Sequence, residues 1–344
     1  MAEGAIGSGC RFYAGYPITP QNEIPAYMAK RMPEVDGVFI QAESEIAAIN
    51  MVFGAAACGA RAMTSSSSPG ISLKQEGISY LAGAELPAVI LNVMRAGPGL
   101  GNITPAQSDY FQATRSGGHG DYHCIVLAPS SVQEAYDFMP LTFGLADRYR
   151  NPVMVLGDGM LGQMMEPLQV TMSPSHKVTR QNKKWALTGC KGRPPNVVKS
   201  FYMAEGKLEQ FNLRLQKKYS TIQAKEQRWE GLFLADAKII LVAYGTMARI
   251  VKSAVKSLRK KGQKIGLIRP ITLWPFPKNV FAPYAVRRTP YARKPAFLVV
   301  EMSYGQMVED VKLALNGKAR VEFLGRSGGG IPTEEEILAR IKQI

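Results

Sequence analysis

The sequence of 344 residues is poor in the side chains that usually bind metals and clusters. It contains three histidines and four cysteines, which are Cys10, Cys58, Cys124 and Cys190. No two cysteines are close enough to form a CxxC pair, which excludes a sequence-local zinc or iron–sulfur motif. Cys58 and Cys124 lie among apolar residues, so we expect them to be buried thiols. Disulfides are not expected in a reducing cytosol.

The sequence also lacks a long hydrophobic run. Its most apolar helical stretch, from Ile46 to Cys58, is too short to span a bilayer and contains Asn50. The first residues, MAEGAIGSGC, have no basic region followed by an apolar core, so no signal peptide is predicted. Hydrophobic residues still make up 46% of the chain, enough for ordinary globular cores. We expect a soluble cytoplasmic protein that does not associate with membranes.

Acidic residues are scarce relative to basic ones. The chain has 42 Lys and Arg against 27 Asp and Glu, and its formal net charge is +15. The excess clusters between His176 and Arg228, in Lys177, Arg180, Lys183, Lys184, Lys191 and Arg193. Aromatic residues are not interleaved there as in a stacking platform, so nucleic acid is not expected to bind. An acidic protein partner, a polyanionic cofactor and a simple lysine-rich surface all stay open.

Short apolar runs alternate with helical patterns in the first half of the chain. The runs are rich in Val and Ile without strict polar alternation, which is typical of parallel strands buried on both faces. We predict strands at Phe12–Tyr16, Val38–Gln41, Arg61–Thr64, Ala88–Val93, Cys124–Leu127 and Val153–Leu156. We predict helices at Pro20–Arg31, Ser44–Gly59, Ser72–Ala82 and Val132–Tyr149. This order favours a doubly wound α/β sheet.

The alternation stops near Thr171 and returns at Ala237. The second stretch has predicted strands at Ile239–Ala243, Lys264–Ile268, Ala296–Val300 and Arg320–Leu324. Its predicted helices are Thr246–Lys261, Asn279–Arg288, Gln306–Asn316 and Thr333–Gln343. We therefore predict two doubly wound, mainly parallel α/β domains, at residues 1–172 and 237–344. The basic segment between them, residues 173–236, carries a helical pattern from Glu205 to Glu230 and either wraps on the surface, packs against a partner or is a solvated linker.

Two predicted strands of the first domain end in polar residues that suit a ligand, because ligands of open α/β sheets bind beyond the carboxyl ends of the strands. In Gly15-Tyr16-Pro17-Ile18-Thr19-Pro20, the prolines favour a tight turn with the Thr19 hydroxyl near a helix N-terminus, either as an anion contact or as a cap. In Gln41-Ala42-Glu43-Ser44-Glu45, a carboxylate begins an apolar helix. It either complements the helix dipole or, if buried, needs a partner.

Two further strands also end in candidate ligand loops. Thr64-Ser65-Ser66-Ser67-Ser68-Pro69-Gly70 offers five hydroxyls before a helix, as a ligand-contacting loop or a polar turn. Val93-Met94-Arg95 leads into a glycine-rich loop that ends at Asn102. That loop does not match a dinucleotide fingerprint. A guanidinium at a strand end can hold a carboxylate bidentately.

These segments together resemble the alpha subunits of 2-oxoacid:ferredoxin oxidoreductases, over nearly the whole chain. The quoted motifs are YPITP, QAESE, TSSSSPG, the strand ending in Arg95, LIRPITLWPFP and VVEM. The stretches GYPITPQNEI, GPGLGN, GGHGDY and GDGMLGQMMEP most resemble the subunits assigned to branched-chain 2-oxoacids (2-oxoisovalerate). The resemblance implies a thiamine diphosphate pyrimidine-binding domain followed by a transketolase C-terminal-like domain.

The resemblance also implies roles for particular residues. Glu45 matches the glutamate that hydrogen-bonds the aminopyrimidine of the cofactor and favours its imino tautomer. Thr19 and Arg95 match residues that contact the substrate carboxylate. Ile18, beside Thr19, is a further candidate for substrate contact. The remaining candidates for cofactor contact are Ser68, Gly70 and Asn102. Gln107, Asp109, Asp121 and His123 are further but weaker candidates, and we expect His123 to be structural.

By the same resemblance, the protein needs partner subunits. Gly157-Asp158-Gly159 resembles the start of a diphosphate–magnesium motif, but Asn182 comes early and prolines interrupt the following helix. We therefore expect Asp158 not to bind metal, and a beta subunit to hold the diphosphate and Mg²⁺. The iron–sulfur clusters are expected on gamma and ferredoxin-like delta subunits, which pass electrons to ferredoxin, with coenzyme A as co-substrate.

The alternatives are a pyruvate- or 2-oxoglutarate-specific member, a transketolase-like enzyme and a scaffold subunit that keeps the fold. The short stretch before Cys10 predicts that the sheet lacks an edge strand.

Overall fold

The structure is a computed structural model that describes residues 1–171, 183–286 and 294–344. Its strands are β1 (Phe12–Gly15), β2 (Val38–Gln41), β3 (Ala62–Ser66), β4 (Ala88–Met94), β5 (Ile125–Leu127), β6 (Pro152–Asp158), β7 (Trp229–Leu232), β8 (Ile239–Val242), β9 (Ile265–Pro270), β10 (Thr272–Trp274), β11 (Ala296–Glu301) and β12 (Val321–Gly325). Its α-helices are α1 (Ala2–Gly7), α2 (Glu23–Arg31), α3 (Glu45–Ala57), α4 (Ser68–Gly83), α5 (Tyr110–Thr114), α6 (Val132–Tyr149), α7 (Gly159–Gln163), α8 (Lys207–Lys225), α9 (Gly245–Lys260), α10 (Lys278–Phe281), α11 (Met307–Leu315) and α12 (Glu334–Ile341).

The first sheet has the order β10-β5-β6-β4-β3-β1-β2. All its pairings are parallel except that of β10 with β5, which confirms the predicted parallel α/β architecture. Both faces are buried, because alternate residues of β4 pack into different hydrophobic clusters. Val89 and Leu91 pack with α1, α2 and α6, whereas Ile90 packs in the cluster that holds α3 and α4. This double burial explains why the strands read as continuous apolar runs.

The second sheet has the order β12-β11-β8-β9-β7 and is parallel except for β7. Here the prediction of a helix from Glu205 to Glu230 was wrong at its end. The helix stops at Lys225, and Trp229–Leu232 is an edge strand paired with β9. Strand β10 returns to the edge of the first sheet, so the chain crosses between the two sheets three times. Such short antiparallel edge strands leave no βαβ alternation in the sequence, and only tertiary pairing reveals them.

The basic segment after β6 wraps on the first domain. Helix α8 buries Phe211, Leu215, Tyr219 and Ile222, whose spacing places them on one face, in the cluster that includes α3 and α4. Lys183 pairs with Asp147 at 2.7 Å, so this lysine already has an anionic partner within the chain. The basic residues His176, Lys177 and Arg180, and Asn182, lie outside the described residues. A helix packed in this way is not a solvated linker.

The cysteines fit the prediction only in part. Cys124 is buried as expected, and burial raises the pKa of its thiol to about 12. Cys58 is exposed, so the prediction of a buried thiol was wrong for it. It caps the C-terminus of α3, where the apolar stretch already leaves the core. None of the described helices is long and apolar enough to cross a membrane. The described residues also contain no group of three or more His, Cys, Asp or Glu arranged to hold a metal ion.

The N-terminal residues form helix α1, which packs against α6. Strand β2 is the edge of the sheet on that side. The prediction that a further edge strand is lacking stays a prediction. Of the predicted helix Asn279–Arg288, the described part is α10 and a 3-10 turn at Ala282–Tyr284. Its last two residues lie outside the described residues.

An ion pair joins the two domains beside β9. The buried Arg269 donates to both carboxylate oxygens of Glu134, at 2.9 and 2.8 Å, and to the hydroxyl of Ser130. Although partial burial opposes ionisation, the bonds from Arg269 and Ser130 hold the pKa of Glu134 below its usual range. Truncating one partner of such a pair leaves the other charge buried and uncompensated.

We expect Glu134→Gln to lower the free energy of unfolding by about 1.5–3 kcal/mol at pH 7, since a hydrogen bond to a charged group contributes about that much. A depressed carboxylate pKa stabilises the folded state above the ordinary glutamate pKa of about 4.3, and that stability is lost as pH falls through the folded value. The deficit of the variant should therefore shrink below about pH 4. Urea unfolding followed at several pH values measures it; a deficit that stays constant with pH would contradict the assignment.

Candidate active site

Four chain segments meet at the carboxyl edge of the first sheet. Strands β1, β2, β3 and β4 are neighbours or near neighbours, and all run parallel. The loops that follow them carry the residues predicted from the sequence, because parallel strands all end at the same edge. The polar segments that follow these four strands therefore lie at one edge of the sheet. The position of each side chain decides which ligands can bind at this edge.

Glu45 is the first residue of α3, directly after the N-cap Ser44, whose hydroxyl accepts from the backbone N–H of Ala47 at 3.1 Å. The Glu45 side chain is buried, with 5% of its residue surface exposed. Its carboxylate has no hydrogen-bond or ion-pair partner within residues 1–171, 183–286 and 294–344. A buried carboxylate without a partner is costly for folding. Such a carboxylate indicates a ligand that the chain is built to meet.

Gly70 makes room for that carboxylate. A Cβ at position 70 would lie 2.5 Å from Oε1 of Glu45 and closer still to Oγ of Ser66. Because both oxygens lie within 2.5 Å of the same point, the Ser66 hydroxyl and the Glu45 carboxylate are close to each other. The hydroxyls of Ser66 and Ser67 are buried and have no partner in the described part of the chain. Glu45 and Ser66, together with Ser67, which follows Ser66 in the chain, are hereafter the Glu45 cluster, and all three have unused hydrogen-bonding capacity.

We expect Gly70→Ala to push Glu45 out of this position and to weaken binding of the ligand that the Glu45 cluster serves by about tenfold to a hundredfold. The methyl group would overlap the carboxylate, and overpacking of a well-filled site costs about 1–3 kcal/mol. Isothermal titration of the assembled complex with thiamine diphosphate measures the effect. Gly54→Ala is the matched control, since a Cβ there meets nothing within 4 Å. Equal affinities for the two variants would contradict the assignment.

Lys74 of α4 is a buried cation beside the Glu45 cluster. Its ammonium donates to the hydroxyl of Thr64 at 3.1 Å and approaches the backbone oxygen of Glu45 at 3.5 Å. Burial lowers its pKa to about 8, and the Glu45 carboxylate opposes that shift. The sequence analysis did not select Lys74. The sequence contains only a weak signal that Lys74 faces the interior, which is that it lies on an otherwise apolar face of α4.

Arg95 follows β4 and is buried, with 7% exposed. Its two terminal nitrogens donate to backbone oxygens, Nη1 to Thr19 at 3.0 Å and Nη2 to Leu100 at 3.0 Å. Its Nε is buried without a partner, and no carboxylate pairs with the guanidinium among the described residues. A buried cation held only by neutral carbonyls retains a full charge for an anion.

Thr19 and Ile18 lie next to that guanidinium, in the turn after β1, and both are half-buried. Of the two alternatives for Thr19, an anion contact or a helix cap, the cap was wrong. Helix α2 begins at Glu23 with Asn22 as its N-cap, three residues later than predicted, because residues 18–21 form a turn closed by the bond from Gln21 N–H to the Ile18 oxygen. Thr19 therefore meets Arg95 through its backbone oxygen rather than capping a helix.

Ser68 is bound within the chain rather than turned toward a ligand. Helix α4 begins at Ser68, not at the predicted Ser72. Its hydroxyl donates to Oδ2 of Asp109 at 2.6 Å and accepts from the backbone N–H of Arg95 at 3.0 Å. Asn92 donates to the same Asp109 oxygen at 2.9 Å. Burial raises the pKa of Asp109, while the bonds from Ser68 and Asn92 oppose that rise. Asn92, which the sequence analysis missed, is a polar residue within an apolar strand.

Other predicted residues tie the two domains together. Asn102 is exposed; its side chain donates to the backbone oxygen of Gly328 at 3.1 Å and accepts from Thr104. The buried Gln107 donates to the oxygen of Tyr244 at 2.9 Å and accepts from the N–H of Met302. These bonds leave both residues at the contact between the domains. The predicted cofactor contact of Asn102 stays a prediction.

The weaker candidates His123 and Asp121, and Asp158 of the partial diphosphate motif, have other contacts within the chain. The His123 ring stacks on Trp274 with centroids 4.4 Å apart, and burial lowers its pKa. The exposed Asp121 accepts from Gln216 through its backbone oxygen. Asp158 is buried at the end of β6, where its carboxylate accepts from the N–H of Leu161 and from the hydroxyl of Thr246. Burial raises the pKa of Asp158.

Comparison with known proteins identifies the fold and the family. Residues 3–225 match the family described as pyruvate flavodoxin/ferredoxin oxidoreductase, thiamine diP-binding, and residues 237–337 match pyruvate:ferredoxin oxidoreductase core domain II. The chain is 51% identical to the ketoisovalerate oxidoreductase subunit VorB of Methanothermobacter marburgensis, over 99% of this chain and 94% of that one. It is 38% identical to the 2-oxoglutarate synthase subunit KorA of Methanothermobacter thermautotrophicus, over 99% and 95%.

A solved structure agrees with these matches. The chain superimposes on the 2-oxoglutarate:ferredoxin oxidoreductase from Magnetococcus marinus, with a TM-score of 0.82 and 26% identity. The match covers all of this chain and 64% of that one, whose structure contains 2-oxoglutarate, coenzyme A and succinyl-CoA. The chain therefore belongs to the 2-oxoacid:ferredoxin oxidoreductases, thiamine diphosphate-dependent oxidoreductases that work with partner subunits.

Proposed function

We propose that this chain supplies the pyrimidine end and the substrate-carboxylate end of an active site for branched-chain 2-oxoacids. The reaction is oxidative decarboxylation with coenzyme A, giving acyl-CoA, carbon dioxide and reduced ferredoxin. The 51% identity to a ketoisovalerate oxidoreductase subunit, against 38% to a 2-oxoglutarate synthase subunit, supports the branched-chain substrate. One observation carries the proposal. Glu45, a buried carboxylate without a hydrogen bond in the described residues, lies at the same sheet edge as Arg95, a buried cation without a carboxylate partner there.

The Glu45 cluster fits the aminopyrimidine of thiamine diphosphate. That ring needs a group that exchanges a proton at a ring nitrogen and further polar groups around it. Glu45 offers a carboxylate without a partner, and Ser66 and Ser67 offer hydroxyls without a partner. Gly70 leaves the carboxylate accessible, because any side chain there would cover it. When bound, thiamine diphosphate supplies the carbon nucleophile and the electron sink for the decarboxylation.

Arg95 fits the carboxylate of the 2-oxoacid. The guanidinium uses two donors on Thr19 and Leu100 and keeps its charge and remaining donors for an anion. Holding the carboxylate in one orientation places the reacting carbon and lowers the entropy cost of the reaction. Ile18 is proposed to contact the substrate next to Thr19.

The other functions belong to partner subunits in this proposal. Asp158 is an unsuitable magnesium ligand, since it is buried and its Oδ1 already accepts hydrogen bonds from Leu161 and Thr246. The diphosphate and Mg²⁺ are assigned to a beta subunit, and the iron–sulfur clusters to gamma and ferredoxin-like delta subunits. A scaffold role would not require Glu45 to remain buried without a hydrogen bond, or Arg95 to remain buried without a carboxylate partner, because both cost stability.

The test is to co-express the chain with the subunits encoded beside it and to measure coenzyme A-dependent reduction of a viologen dye. We expect kcat/KM to be highest for 2-oxoisovalerate, compared with pyruvate and 2-oxoglutarate. A higher kcat/KM for pyruvate or 2-oxoglutarate would refute the branched-chain assignment. The absence of 2-oxoacid-dependent reduction in a complete complex would refute the activity itself.

A further inference from the structure

The segment from Gln107 to Arg115 joins the two domains by an unusual density of hydrogen bonds. Gln107 exchanges two bonds with Met302, and Tyr110 and Arg115 both donate to Asp310 of α11, at 2.6 and 3.0 Å. The segment precedes and includes α5 and lies between Arg95 and the second domain. Contacts with the second domain therefore fix the position of this segment as much as contacts with the first domain do.

Gln306 is the central contact of the second domain with this segment. Its amide nitrogen donates to the backbone oxygen of Ser108 at 2.7 Å, and its amide oxygen accepts from the N–H of Phe111 at 2.8 Å. The two bonds bracket Asp109 on both sides. Gln306 is itself fixed, because its N–H donates to the buried carboxylate of Glu301 at 3.2 Å.

Glu301 fixes more than this one residue. Its carboxylate, at the end of β11, also accepts from the N–H groups of Met307 and Val308 at 3.0 and 2.9 Å, which begin α11. A carboxylate that binds several backbone N–H groups at a helix start satisfies donors that would otherwise be unpaired. The second domain thus presents Gln306 from a rigid helix start.

Asp109 turns away from the second domain and toward Arg95. Its carboxylate accepts from Ser68 and Asn92, and the Ser68 hydroxyl accepts from the N–H of Arg95. Hydrogen bonds therefore link Glu301 to Gln306, and Gln306 to the backbone on both sides of Asp109. The step from there to the Asp109 side chain is covalent, along the backbone, and Ser68 links that side chain to the backbone of Arg95. Each of these hydrogen bonds is between 2.6 and 3.2 Å, which is ordinary hydrogen-bond length.

Packing does not hold Arg95 on the side facing the second domain. An open cavity of about 400 Å³ lies there, and Arg95, Asp109, Gly99, Tyr304 and Gln306 line it. A side chain at the wall of a cavity lacks contacts on one side, so directional bonds must fix its position. The Gln306 bonds to the backbone of Ser108 and Phe111 connect this wall to the second domain, and the Asp109 side chain continues the connection toward Arg95.

We propose that the second domain positions Arg95 for the substrate carboxylate, with Gln306 and Asp109 as the positioning residues. The proposal rests on the proposed function, because it assumes that Arg95 binds the 2-oxoacid. Neither residue needs to touch the substrate or the cofactor. Small displacements of an orienting group reduce rates strongly, and about 1 Å can cost a hundredfold.

The test uses the assembled complex with Gln306→Ala and Asp109→Asn. We expect each variant to raise KM for the 2-oxoacid about tenfold, within the range that misplacement causes, with unchanged affinity for thiamine diphosphate. Hydrogen exchange should also become faster in residues 93–102, a readout that needs no activity. Gln227→Ala is the matched control, since Gln227 is equally half-buried and accepts a backbone N–H, from Asn279 at 3.0 Å, away from the site.

The double variant shows whether Gln306 and Asp109 act on Arg95 through one shared connection or independently of each other. Because both residues act in series, Gln306→Ala with Asp109→Asn should raise KM little more than either change alone. Multiplying effects, or an unchanged exchange rate in residues 93–102, would overturn the proposal. Gln306→Ala is at a half-buried position, so it carries the test if Asp109→Asn does not assemble. If the wild-type complex lacks 2-oxoacid-dependent activity, the proposed function fails, while hydrogen exchange still tests the positioning of Arg95.

Discussion

Glu45→Gln is expected to reduce 2-oxoacid-dependent dye reduction by the assembled complex about a thousandfold or more. Glutamine has the shape of glutamate but neither takes up nor releases a proton near neutral pH. Positioned general acid–base groups contribute about a hundredfold to ten-thousandfold to rates. Measurement of kcat at saturating thiamine diphosphate separates this loss from weaker cofactor binding. A variant within a factor of three of the wild type would refute the assigned role of Glu45.

Glu43→Gln is the matched control for this experiment. Glu43 stands two residues earlier, before the same helix, and it is exposed. If both carboxylates only complemented the helix dipole, the two substitutions would have similar, small effects on stability and none on the rate. A large loss for Glu43→Gln would therefore count against the choice of Glu45.

Stability gives an independent check on Glu45. The buried carboxylate has no hydrogen bond in the described part of the chain, and its attraction to the buried Lys74 ammonium offsets only part of its desolvation. Replacing it with a neutral amide should therefore leave the melting temperature of the cofactor-free complex nearly unchanged. A residue that serves the fold would show a clear fall in melting temperature. Loss of activity together with retained stability is the combination that distinguishes a functional carboxylate from a structural one.

The sequence predicted most of the fold because its strands are buried on both faces. Continuous apolar runs such as Ala88–Met94 are readable without neighbours, and helix α6 begins and ends where Ser131 and the apolar pattern predict it. The short edge strands β7 and β10 were not predicted. Their three or four residues pair with strands distant in sequence, and nothing local distinguishes them from loops.

The sequence predicted the site less completely than the fold. Strand ends and motif resemblance selected Glu45, Arg95 and Thr19, which the structure places at one sheet edge. They did not reveal Lys74 or Gln306, whose importance depends on what faces them across the fold. Ser68 was selected as a cofactor contact, yet its hydroxyl bonds Asp109 and Arg95, which supports a positioning role instead.

Arg95→Lys is expected to lower kcat/KM for the 2-oxoacid about a hundredfold, chiefly through KM, although it keeps the charge. Lysine presents a single compact ammonium, whereas the guanidinium reaches Thr19 and Leu100 together and still faces an anion. Each bond to a charged group contributes about 1.5–3 kcal/mol, so losing one suffices for this effect. Steady-state kinetics with varied 2-oxoacid, at saturating coenzyme A and thiamine diphosphate, measure it.

Arg115→Lys is the control that shows whether replacing any arginine near the domain contact lowers kcat/KM for the 2-oxoacid. Arg115 is about half exposed and pairs with Asp310 at 3.0 Å, and a lysine keeps such an exposed pair at little cost. Its kcat/KM should therefore stay near that of the wild type. A matched fall in both variants would mean that the guanidiniums stabilise the contact between the domains. A fall in Arg95→Lys alone, with unchanged affinity for thiamine diphosphate, would assign Arg95 to the carboxylate of the substrate.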